Sequence, residues 1–218
     1  MRMKDHRIYV DKKRIEKRKI YYSLKRIFDI LLSAVGLIIS SVIFLLVTIA
    51  IKREDNGPVI YKQRRVGKNG KEFDMYKFRS MCVDADEKLA ALKEQNEVEG
   101  AMFKIKDDPR ITKVGKFIRK TSIDELPQLY NVLRGDMSIV GPRPPLPSEV
   151  AEYTEYDMQR LWVIPGCTGL WQATVRNTVG FDEMVQLDLE YIQKSSLWYD
   201  FYIILLTVKM LISPKGAY

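Results

Sequence analysis

The chain has 218 residues, 46% hydrophobic and 29% charged, a balance that excludes a disordered, fibrous or low-complexity protein. Cys82 and Cys167 lie far apart without a partner motif, which excludes a disulfide framework and a cysteine-based zinc site. The formal net charge is +8, and residues 1–26 hold all of that excess, with eleven Lys and Arg against three acidic residues.

A nucleic-acid-binding domain would spread its charge over a folded surface. Here the charge reads as a basic tail, so nucleic acid is not expected as a partner. The polar start offers no cleavable signal, which points to a reducing compartment. His6, the single histidine, lies in this tail and is neither a credible base nor a metal site.

Residues 30–51 (ILLSAVGLIISSVIFLLVTIAI) carry no charge. At ~1.5 Å per residue they make about 33 Å of helix, enough for a hydrocarbon core of about 30 Å. Lys and Arg mark the cytoplasmic side of a membrane helix, and they flank this segment on both sides, with Lys52, Arg53, Lys62, Arg64 and Arg65 downstream. A helix that enters, bends and returns to the same face satisfies both flanks; a single-pass anchor is the alternative. Gly36 and the Ser40–Ser41 pair are the candidates for the bend, since a serine hydroxyl can bond back to the preceding turn. Asp29 fits the membrane interface rather than the bilayer centre.

Two β-rich runs, residues 59–66 and 72–78, flank Gly67-Lys-Asn-Gly70, and Asn-Gly between such runs predicts a hairpin. Lys62, Arg64, Arg65, Lys77 and Arg79 on these strands either face anionic headgroups or a phosphorylated substrate, or form a solvated face. Residues 84–96 predict a polar helix, and Asp108-Pro109 a turn.

The densest stretch is GKFIRKTSIDELPQLYNVLRGDMSIVGPRPPLP, residues 115–147. Leu126, Leu129, Tyr130 and Leu133 recur at helical spacing, which predicts a helix from about Asp124 to Leu133 with Pro127 in its first turn. Asp124 and Glu125 then sit at a helix N-terminus. Capping alone accounts for acidic residues at such a position. Their neighbours suggest more: Arg119 precedes the pair, and Arg143 sits between Pro142 and Pro144 on a backbone held rigid from both sides. Adjacent carboxylates with arginines suit phosphoryl chemistry, with Mg²⁺ offsetting charge between carboxylate and phosphate. Residues 196–213 begin aromatic and continue apolar but are too short to span. They read as a helix lying at the interface, with a C-terminal core helix as the alternative.

In order, the apolar segment, GPVIYKQRRVGKNGKEFDMYKFRSM, DDPRITKVGKFIRKTSIDELPQLYNVLRGDMSIVGPRP and PGCTGLWQATVRN resemble the bacterial sugar transferases. These are monotopic polyprenyl-phosphate phosphoglycosyltransferases that initiate capsule, exopolysaccharide and O-antigen repeat units. The resemblance runs from about residue 21 to 213. It implies an α+β, mostly helical fold: a basic segment (1–26), a re-entrant membrane helix (27–52), and a cytoplasmic catalytic domain (53–213). That domain would hold the β-hairpin and an interfacial amphipathic helix over 197–213.

The reaction so implied moves a sugar-1-phosphate from a UDP-sugar to undecaprenyl phosphate at the cytoplasmic face of the bacterial inner membrane. Asp124 would be the nucleophile, and Glu125 would support either the Mg²⁺ site, which the two would share, or the second step. Arg119 and Arg143 would grip the diphosphate, Arg176 and Asn177 would lie near the nucleotide sugar, and Lys77 would join the substrate site. The chain departs from the family's pattern twice. Ser41-Val42 stands where members carry Ser-Pro in the membrane helix, and Val175 stands where many carry glycine before Arg-Asn. A silent membrane-bound scaffold of the same fold is the alternative function, and the intact Asp124, Glu125 and Arg143 speak against it. The sequence selects neither the sugar nor between monomer and homodimer.

Overall fold

The computed structural model describes residues 7–85, 87–88, 108–175 and 179–212. Most of the expected polar helix over 84–96 lies outside this set, as do His6, Arg176 and Asn177. The described chain is mostly helical with two small sheets, an α+β arrangement.

Residues 7–26 are not a free tail. Asp11 caps helix α1 (Lys12–Lys17) by accepting from the Lys13 and Arg14 amides, and this turns Ile15 inward. Val10 and Ile15 join a cluster with Val185, Leu189, Ile192 and Ile203, and Gln159 accepts the Val10 amide at 2.8 Å. Net charge hid these two apolar residues, whose burial ties the arm to the domain. Helix α2 (Lys19–Ile39) carries further tail cations into protein contacts. Lys25 pairs with the buried Asp200 at 2.9 Å, and Arg26 donates to the carbonyls of Val132 and Leu133.

Helix α3 (Ser41–Asp55) follows α2 after a bend of 57°. At the bend, the Ser40 hydroxyl donates to the Gly36 carbonyl at 2.6 Å, the back-bond expected of this serine. A Cβ at Gly36 would stand 3.0 Å from Leu129 Cδ1, so the leucine side chain would have to shift to admit one. Among the described residues no single helix is long and apolar enough to cross a membrane, whereas α2 and α3 together meet that test of length and composition. Asp29 is buried within the protein, and its Oδ1 accepts the Ile139 amide at 3.0 Å.

The hairpin forms as expected. Strand β1 (Ile60–Val66) pairs antiparallel with β2 (Glu72–Phe78), Val66 opposite Glu72, through a turn with Asn69 and Gly70 at positive φ. Helix α4 (Lys113–Lys120) is capped by Thr112, whose hydroxyl accepts the Gly115 amide at 2.9 Å. Then come helix α5 (Gln128–Arg134), strand β3 (Ser138–Val140), helix α6 (Pro147–Val150) and strand β4 (Gly166–Thr168). β3 and β4 make a short parallel pair with Ser138 opposite Gly166, which the sequence reading lacked. Three-residue strands show no periodicity, and a parallel partner is supplied only by the intervening fold. Helices α7 (Leu170–Thr174), α8 (Phe181–Lys194) and α9 (Leu197–Ile212) complete the described chain. α9 buries Ile203 in the domain core while leaving Trp198 83% exposed, so it serves as packing helix on one face only.

Candidate functional site

The expected continuous helix from Asp124 to Leu133 is two pieces. Asp124 and Glu125 lie in a single 3-10 turn, Ile123–Glu125, and Pro127 is the N-cap of α5. The turn ahead of Pro127 closes by i→i+3 bonds, Glu125 to Ser122 and Leu126 to Ile123, and Pro127, which has no amide to donate, is tolerated as the N-cap of α5. The carboxylates therefore do not sit on an α-helix N-terminus. Ser122, just ahead, adopts φ 57°, a left-handed conformation uncommon for serine, and it turns the chain out of α4 into the 3-10 turn.

Two contacts set this turn beside the hairpin. The buried Asn131 on α5 accepts the Tyr76 amide and donates to the Asp74 carbonyl, at 2.9 and 2.7 Å, and so stitches α5 to β2. Lys77, next along β2, donates to Glu125 Oε1 at 2.8 Å. A shallow open recess lies at this junction, its wall including Lys77, Glu125, Gln128 and Arg143. Arg65 and Gln172 also line it, as does Cys167, whose thiol pKa burial pushes up. Asp124 and Arg119 are outside that wall. Arg119 is held by its Nε donating to Ser80 Oγ at 2.7 Å.

The two carboxyls diverge electrostatically. Asp124 is buried, and desolvation, reinforced by the charge of Glu125, raises its pKa to about 6 despite Lys77 and Arg119. Burial raises Glu125 as well, but Lys77, Arg143 and a hydrogen bond from Gln128 outweigh it and hold Glu125 below its ordinary value. Two adjacent carboxyls with separated pKa values assign different roles within one site. Among the described residues no group of three or more His, Cys, Asp and Glu side chains assembles. A Mg²⁺ ion, which keeps waters and takes one or two carboxylates plus substrate phosphates, needs no more than this hard-oxygen pair.

The site therefore combines a buried carboxyl with a cation-lined recess. The profile of the bacterial sugar transferases matches residues 20–214 of the chain. The chain belongs to the bacterial sugar transferase family. It is 52% identical over 194 residues to a galactosyl transferase of Streptococcus agalactiae, covering 88% of this chain and 43% of that protein. To an undecaprenyl-phosphate galactose phosphotransferase of Salmonella typhimurium it is 47% identical over 199 residues, 89% of this chain and 42% of that protein. An exopolysaccharide production protein of Rhizobium meliloti is 41% identical over 198 residues, 89% of this chain and 88% of its own length. The chain thus spans less than half of the first two relatives and most of the third.

Of the site residues expected in this bacterial sugar transferase, Lys77, Glu125 and Arg143 meet in the recess, with Asp124 adjoining. Arg176 and Asn177 lie outside the described residues. The five hairpin cations divide by partner. Arg64 pairs with Glu72 and Asp74 on an exposed face, Arg79 binds Asp55, and Lys62 lies over the Tyr76 ring. Gln128 and Gln172 were missed, because polar neutral residues inside helical segments give no sequence signal of a site. The hairpin pattern did flag Arg65, but only as one of five equivalent cations.

Proposed function

We propose that the chain transfers a sugar-1-phosphate from a UDP-sugar to undecaprenyl phosphate, releasing UMP, in two half-reactions through an aspartyl-phosphosugar. The observation that carries this is a buried, activated Asp124 adjoining a recess lined by Lys77, Arg143 and Glu125. The name of the Salmonella relative supports the lipid acceptor.

In the first half-reaction an ionised Asp124 oxygen attacks the β-phosphorus of the UDP-sugar. The phosphorus–oxygen bond to the nucleotide breaks, and UMP leaves with the electron pair. In the second, an oxygen of undecaprenyl phosphate attacks the same phosphorus. The bond to Asp124 breaks, which restores the carboxylate and yields the lipid diphospho-sugar. Splitting one transfer into two is ordinary nucleophilic catalysis. Arg143, carried between two prolines, and Lys77 would hold the phosphates, and Arg119 would complement the charge at Asp124. Asp124 and Glu125 would hold Mg²⁺, which when bound supplies positive charge against the phosphate oxygens.

The acceptor is a membrane lipid, so the site must stand at the bilayer, here the cytoplasmic face of the inner membrane. The bent α2–α3 pair supports re-entrant insertion: Ile38, Ile39 and Val42 around the bend are exposed, and Ser40 makes the bend without the family's proline. The exposed apolar face of α9, with Trp198 and Tyr202, suits the headgroup region.

The test is UMP release from a panel of UDP-sugars with Mg²⁺ and undecaprenyl phosphate, comparing wild type with Asp124→Asn. Release from one sugar, lost in the variant, with a phosphosugar adduct trapped before lipid is added, is the expected result. Equal release by Asp124→Asn would remove Asp124 as nucleophile. No release from any sugar by folded protein would favour the scaffold.

A further inference from the structure

Four arginines are buried among the described residues, and a buried charge is normally paired. Three obey: Arg79 binds Asp55, Arg110 meets Asp108 at 2.6 Å, and Arg160 meets Asp188 at 2.7 Å. Arg65, 4% exposed, has no carboxylate within 4.0 Å among the described residues. Its Nη1 donates to the Pro144 carbonyl at 2.9 Å and its Nη2 to Gln63 Oε1 at 2.8 Å, while its Nε–H has no partner. Instead of an anion, its strong neighbour is another cation. Burial and the charge of Arg143 lower its pKa to about 10, against weaker opposing effects of Glu149, Tyr61 and Glu125.

The fold brings these two guanidinium groups together deliberately. Strand β1 is tied to the Gly-Pro-Arg-Pro loop by the Val66 amide donating to the Pro145 carbonyl at 2.9 Å, beside the Arg65–Pro144 contact. Both arginines line the same recess as Lys77. Among the described residues Arg143 has no hydrogen bond or ion pair of its own. A buried cation with an open N–H, sharing a recess with a second cation, is suited in charge and donors to an anion.

We propose that Arg65 and Arg143 together bind a phosphoryl group of the substrates, with the Arg65 Nε–H reserved as a donor to it; this rests on the phosphotransfer reading above. Arg65 thereby acts as a substrate-binding residue beside Lys77, whereas Lys62, Arg64 and Arg79 do not. The phosphoryl group belongs either to the nucleotide or to the lipid acceptor, and the two arms of the test separate them.

The full chain is labelled with ¹⁵N-arginine in nanodiscs, and the Arg65 Nε–H resonance is followed on adding UMP, then separately undecaprenyl phosphate. A downfield movement with UMP assigns the nucleotide phosphate; movement only with undecaprenyl phosphate assigns the lipid phosphate. A resonance unmoved by either at saturation overturns the proposal, and the measurement needs no variant to fold. Arg65→Lys keeps the charge but loses the fork, and is expected to weaken binding of the responding ligand by about tenfold or more, the worth of one charge-assisted hydrogen bond. An affinity within twofold of wild type, with unchanged melting, also counts against it. UMP release by the wild type is scored in parallel. A failed phosphotransfer reading then shows as absent release, even where the Nε–H responds to phosphate.

Discussion

Replacing Asp124 by asparagine should stabilise the protein while abolishing UMP release. The Asp124 carboxyl is raised from 3.8 to about 6 in the folded chain, chiefly by burial and then by the charge of Glu125. A carboxyl whose folded pKa exceeds its unfolded value binds its proton more tightly when folded, so ionisation works against folding. The penalty is absent below about pH 4, grows as pH rises towards 6, and is fully present above. A displacement of about two pK units corresponds to ~3 kcal/mol at neutral pH. Asparagine keeps the shape and drops the charge, and for a chain of this length ~3 kcal/mol is worth about 8 °C in melting temperature. The assay is thermal unfolding of wild type and Asp124→Asn between pH 4 and 8, with a chelator present so that no cation offsets the carboxylates. The two curves should coincide near pH 4 and separate by pH 7, the variant higher. A variant less stable at pH 7, or a gap independent of pH, would refute the claim that folding holds this carboxylate at a cost.

Three further outcomes are expected. Lys77→Met removes a cation that lowers the pKa of both carboxyls. The acid limb of UMP release, measured without lipid because phosphate monoesters titrate near pH 6, should move to higher pH. The rate at pH 7 should fall about tenfold or more, as loss of a charge-assisted hydrogen bond implies; an unmoved limb removes Lys77 from the site's electrostatics. Lys25→Met leaves Asp200 buried without its 2.9 Å partner and should cost about 3–5 kcal/mol in denaturant unfolding. Asp200→Asn should cost less, because one of the Tyr21 and Tyr191 hydroxyls keeps an acceptor there and the other can turn to accept from the amide NH₂. Ile15→Ala should cost about 2–4 kcal/mol, whereas Lys17→Gln on the same turn should stay within about 0.5 kcal/mol. Equal, negligible effects would return the arm to the status of a solvated tail.

The sequence by itself determined most of the local elements and named candidate site residues. Hairpin, bend and C-terminal helix were legible because each is written in a short-range code: Asn-Gly between β-branched runs, serines inside an apolar helix, aromatics ahead of an aliphatic run. The Asp124–Glu125 pair and the Gly-Pro-Arg-Pro loop were legible for the same reason, since adjacent charges and flanking prolines constrain their own backbone. What only the tertiary structure decided is which of many similar side chains share a site. Five cations on the hairpin look alike in sequence, yet strand pairing and partner carboxylates give Arg64 and Arg79 to structural ion pairs and leave Lys77 and Arg65 at the recess. The basic arm looked solvated until Val10 and Ile15 found a core more than a hundred residues away. The parallel β3–β4 pair exists only because the chain between its strands folds back. Propensity acts over a few residues, whereas burial and charge pairing depend on distances in space, which a one-dimensional pattern does not carry.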